Sequence, residues 1–111
     1  MRIAQQAGIY VERFALQGEQ AEQFITLYRE YNKALHAIRE QYAQPIGLAA
    51  TGPTDEQVEK RLLDGFAQSR AILDVREKYY HLFRAILTPS QVRHIFEDER
   101  ARRDQVQKPA A

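Results

Sequence analysis

Three histidines, each with a carboxylate close by in the chain, are the residues whose types and spacing could do chemistry. His36 lies four residues before Glu40, His81 four after Glu77, and His94 three and four before Glu97 and Asp98. On a helix, an imidazole and a carboxylate at that spacing share a face and could hold a metal ion together. The same spacing is that of ordinary polar pairing on an exposed helix surface. The three histidines fall on three different predicted helices, and no second ligand motif converges on any of them. They stand as metal candidates only, and no cofactor is expected. The chain has no cysteine, so disulfides, thiolate-held zinc and thiol nucleophiles are excluded within it. It has no nucleophile elbow, phosphate-cradling glycine loop or cleft-forming carboxylate pair, and an enzyme is not expected. Arg93, Arg100, Arg102 and Arg103 could face nucleic acid, but Glu97, Asp98, Glu99 and Asp104 among them largely cancel that field. A net charge of +1, from 16 basic and 15 acidic residues, likewise argues against nucleic acid as a partner.

The elements that would position these side chains are all helical. Ala, Leu, Gln, Glu and Arg dominate, β-branched residues are sparse, and glycine and proline sit between periodic segments. One domain is the natural reading of 111 residues. No stretch approaches the roughly 20 apolar residues of a membrane span, so membrane insertion is not expected, and MRIAQQAGIY lacks the apolar core of a signal peptide. Residues 2–15 place Ile3, Ala7, Tyr10 and Phe14 at helical spacing, with Val11 alongside, before Leu16-Gln17-Gly18 interrupts them. A second helix from about Glu19 to Tyr42 carries Phe24, Tyr28, Tyr31, Leu35, Ile38 and Tyr42 in a strict four-three-four-three-four series. Gln44–Pro53, with two prolines and two glycines, is the one real loop. Thr54 and Gln57 then mark a capping box.

The third helix could run from Asp55 to about Ile86, nearly 50 Å at about 1.5 Å per residue. A compact chain of this length has a diameter of roughly 35 Å, so a continuous third helix implies an elongated molecule, with Gly65 as a possible bend. One apolar row on it holds Val58, Leu62, Phe66, Leu73, Tyr80, Phe83 and Leu87; a second, turned by roughly 80–100° on the wheel, holds Ile72, Tyr79 and Ile86. Together they exceed what one contact buries, and the excess must be covered by the fourth helix, another copy or a client. Ile72, Tyr79 and Ile86, with Arg76 and Arg84 supplying charge, are the expected client-binding surface. Tyr and Arg combine contact area with adaptable hydrogen bonding. The fourth helix shows Val92, Ile95 and Phe96, and residues 97–111 read as a frayed or solvated tail with no apolar face.

Between the third and fourth helices stands Leu87-Thr88-Pro89-Ser90-Gln91: Thr88 as N-cap, Pro89 at the first helical position, and Gln91 at N3 to complete a capping box. Leu16-Gln17-Gly18-Glu19-Gln20 has the same Leu-x-x-x-Gln frame, with Gln17 where Thr88 stands. Two such motifs opening helices, and the run LDVREKYYHLFRAILTPSQ, resemble the Spy/CpxP family of periplasmic stress proteins, in particular Bacteroidetes-type members. The resemblance covers about Ile9 to Phe96, and Leu16, Gln20, Leu87, Thr88 and Gln91 carry over as structural motif residues. It implies an elongated four-helix hairpin with a long third helix, paired into a curved antiparallel homodimer. It also implies export to the periplasm, with a leader removed upstream of Met1. By function it implies an ATP-independent chaperone-like protein that binds unfolded or misfolded envelope proteins in a stress response. The alternative it offers is a regulatory partner of an envelope sensor kinase, or a metal sensor.

Overall fold

The computed structural model describes residues 2–43 and 52–107. The element order is α1 (Arg2–Arg13), α2 (Gly18–Gln41), α3 (Asp55–Phe83) and α4 (Pro89–Gln107), with no strand among the described residues. The chain is all-α. Most of the loop read at 44–53, and residues 108–111 of the tail, lie outside the described residues, as do the side chains of residues 2–4 and 103–107.

Local chemistry explains where each helix begins and ends. Thr54 Oγ1 accepts from the Gln57 amide at 3.2 Å, while the Gln57 side chain accepts from the Thr54 amide at 2.9 Å. The same exchange recurs before α4, with Gln91 N–H to Thr88 Oγ1 at 3.2 Å and Thr88 N–H to Gln91 Oε1 at 3.0 Å. Two otherwise orphaned donors are thus satisfied at each start. Gln17, at the corresponding place before α2, makes no side-chain cap bond, as its long side chain would lead one to expect. α1 instead closes with a Schellman turn: Leu16 N–H bonds the Val11 carbonyl at 2.9 Å and Ala15 N–H bonds that of Glu12 at 3.1 Å. The left-handed residue of that turn is Ala15 (φ 54°), where glycine is usual. At the α3–α4 corner, the Leu87 amide bonds the Phe83 carbonyl at 2.7 Å, and Arg84 Nη1 donates to the Leu87 carbonyl at 2.9 Å. Thr88→Ala should remove half of the second box and lower stability by about 1 kcal/mol, measurable as a shifted urea midpoint with unchanged slope.

Packing follows the α2 stripe. Phe24, Tyr28, Tyr31 and Leu35 are all buried, and α2 runs antiparallel to α3, because Phe24 meets Phe83 (ring centroids 5.7 Å) while Tyr31 meets Tyr79 (5.5 Å). Ala7 and Tyr10 of α1 close one side of this core, and Val92 and Ile95 of α4 close another. α3 is continuous through Gly65 and, at about 1.5 Å per residue, reaches roughly 43 Å. The molecule is accordingly elongated, 58 × 32 × 22 Å with a radius of gyration of 17.4 Å, against about 13 Å for a compact chain of this length.

Candidate interaction surface

The described structure uses the two apolar rows of α3 unequally. Tyr79 is only 8% exposed and packs against Tyr31 with the rings tilted, while Ile72 and Ile86 are half-buried and pack against the core. Arg76 is held by Glu99 of α4, Nη2 to Oε1 at 3.7 Å. Arg84 is exposed, with its guanidinium bonded to the chain's own Leu87 carbonyl. Of the row expected to stay uncovered, Tyr79 is thus covered, by Tyr31 of α2, while Ile72 and Ile86 keep part of their surface. The apolar surface left open belongs to the other row, over roughly the first two-thirds of the helix. Val58, Leu62, Phe66 and Leu73 are 41, 57, 57 and 64% exposed, with Leu63 beside them at 56%. From Val58 to Leu73 this face spans roughly 22 Å of helix. The C-terminal part of the same row, Phe83 and Leu87, is buried.

A second correction concerns the stretch read as a solvated tail. α4 runs on to Gln107, and its Asp98, Glu99 and Arg102 face the core tyrosines. Tyr10 Oη donates to Asp98 Oδ2 at 2.9 Å and Tyr31 Oη to Glu99 Oε2 at 2.7 Å. Arg13 reaches the same Asp98 oxygen at 3.4 Å, and Arg102 Nη1 donates to Gln6 Oε1 at 3.5 Å. Asp98, Glu99 and Arg102 continue the Val92–Ile95 face at three- and four-residue steps, so α4 docks through an apolar first half and a polar second half. Burial is the main reason the Tyr10 phenol is pushed up to about 12. Arg102 works against it, and Asp98 adds to it. Tyr28 and Tyr31 are shifted upward as well, again chiefly by burial, with Glu99 contributing in each case.

The histidines stay apart, on α2, α3 and α4. His36 Nε2 lies 3.3 Å from Glu40 Oε1 with both side chains exposed, His81 lies edge-on to Tyr80, and His94 lies beside the Phe14 ring. Among the described residues no group of three potential metal ligands comes together, and no helix is long and apolar enough to cross a membrane. Comparison of the chain with protein-family models, with curated proteins and with solved structures finds no match in any of the three.

Proposed function

We propose that this chain binds unfolded or misfolded envelope polypeptides without ATP, in the periplasm, as the stress proteins it resembles do. The observation that carries the reading is the open apolar face Val58–Leu62–Phe66–Leu73 on α3. Contiguous exposed apolar surface of a few hundred Å² or more marks interaction sites rather than ordinary protein exterior. A row of side chains on one helix makes many small contacts with no fixed geometry, which suits a partner that has no fixed shape.

A doubly substituted Leu62→Ser, Phe66→Ser protein tests it. Both positions are exposed, so stability should move by no more than about 0.5 kcal/mol each. Wild type at equimolar ratio should suppress aggregation of a reduced model substrate, and the variant should lose most of that effect. No suppression by wild type, or full suppression by the variant, overturns the reading. The same open face favours a second reading, in which a second copy covers it as an antiparallel curved homodimer, symmetric pairs being the commonest assembly. In that case sedimentation should report a dimer that the double variant dissociates.

A further inference from the structure

The apolar row of α3 leads into a groove of about 540 Å³ between α3 and α4. Tyr80, seven residues beyond Leu73 on the same face, lines it together with Phe96, and both side chains are half-buried. Around these two rings stand Arg76, Arg93 and Arg100, against the single carboxylate of Glu97. Glu97 is engaged by Arg93, and Arg100 is exposed at the rim of the groove. Arg76, after its contact with Glu99, retains a buried Nε–H that finds no acceptor there. The groove therefore combines an aromatic floor with surplus guanidinium, and guanidinium presents paired donors that match a carboxylate and also stacks on aromatic rings.

We propose that this groove takes acidic segments of the bound polypeptide, placing a carboxylate among Arg76, Arg93 and Arg100 and a neighbouring aromatic or aliphatic side chain on Tyr80 and Phe96. The inference rests on the binding reading above and gives that binding a preference. Charge complementarity selects the occupant: a lysine-rich segment of equal apolar content would meet like charge across the rim, and juxtaposed like charges are disfavoured.

The test uses two fluorescently labelled, unstructured peptides with the same leucine and phenylalanine content, one carrying Asp and Glu and the other Lys, titrated with the full chain. The acidic peptide should bind at least tenfold more tightly at low salt, and the gap should narrow as salt screens the rim. In an Arg93→Glu, Arg100→Glu variant, both substitutions at exposed positions, that preference should vanish or reverse. Equal affinity for the two peptides, a preference that survives in the variant, or binding of neither peptide would overturn the assignment. A variant that changes the sedimenting mass instead of the peptide preference would also overturn it, giving the groove to a second copy. Aggregation suppression, measured alongside, separates the two levels: suppression without peptide preference sinks only the groove, whereas no suppression sinks the binding function itself.

Discussion

Phe83→Ala is expected to lower the free energy of unfolding by about 3–5 kcal/mol, the cost of deleting a large buried aromatic. The side chain is fully buried and lies against three rings, Phe24 at 5.7 Å, Tyr31 at 6.0 Å and Tyr79 at 6.3 Å between centroids. It also ends α3, where its carbonyl accepts from both Ile86 and Leu87 as the chain turns toward α4. Removing the ring would therefore open a cavity between α2 and α3 at the point where the α4 connection is set. Against a total of 5–15 kcal/mol for a domain, such a loss would leave a substantial unfolded population. Phe66→Ala, on the same row of the same helix but exposed, should change stability by less than about 0.5 kcal/mol. Urea unfolding followed by circular dichroism measures both. Comparable losses from the two substitutions would mean that the N-terminal half of α3 is packed, and the exposed face would have to be abandoned.

That contrast also marks how far the sequence could be read. The α2 stripe was legible because its period is helical and its partner is a single layer: four of its six positions, Phe24, Tyr28, Tyr31 and Leu35, are buried. The α3 and α4 starts were legible because a capping box is a local rule, satisfied within four residues of chain. How much of α3 is covered was not, because both rows have helical spacing along its whole length and periodicity identifies faces without saying where a partner helix lies against them. Tyr79 is buried because Tyr31 stands across from it. The docking of α4 was hidden by its charge, since EDERARRD has no apolar face to detect. A signal did exist: three tyrosines on the core faces of α1 and α2 carry hydroxyls that need partners once buried. Asp98 and Glu99 fall three and four residues after Ile95, on the face that could supply them. The left-handed turn at Ala15 had no such signal, since Gly18 is the nearer candidate for that conformation and alanine rarely adopts it.

These tyrosines also govern how the fold should respond to alkali. Tyr10, Tyr28 and Tyr31 are all held protonated above the ordinary phenol value of 10, with burial the largest cause in each, and Tyr10 is pushed up to about 12. An unfolded chain loses these protons near pH 10, whereas the folded chain keeps them until higher pH. Between pH 10 and about 12 the folded state thus binds more protons than the unfolded one, and stability falls as pH rises. Below pH 10 the contribution is fully present. At 1.36 kcal/mol per pH unit, Tyr10 alone accounts for about 2 kcal/mol of loss by pH 12. Tyr28 and Tyr31 act in the same direction and add to that loss. Helical circular dichroism and phenolate ultraviolet absorbance should therefore change together, in one cooperative step above pH 10. Tyr10→Phe would leave Asp98 with Arg13 and without its phenol donor, lowering stability at neutral pH by about 1–3 kcal/mol. It should also flatten the alkaline decline, because one of the buried titrating phenols is gone. If instead all six tyrosines ionise near pH 10 while the helical signal stays constant, the phenols are not sealed beneath α4, and the Asp98 and Glu99 contacts do not hold that helix in place.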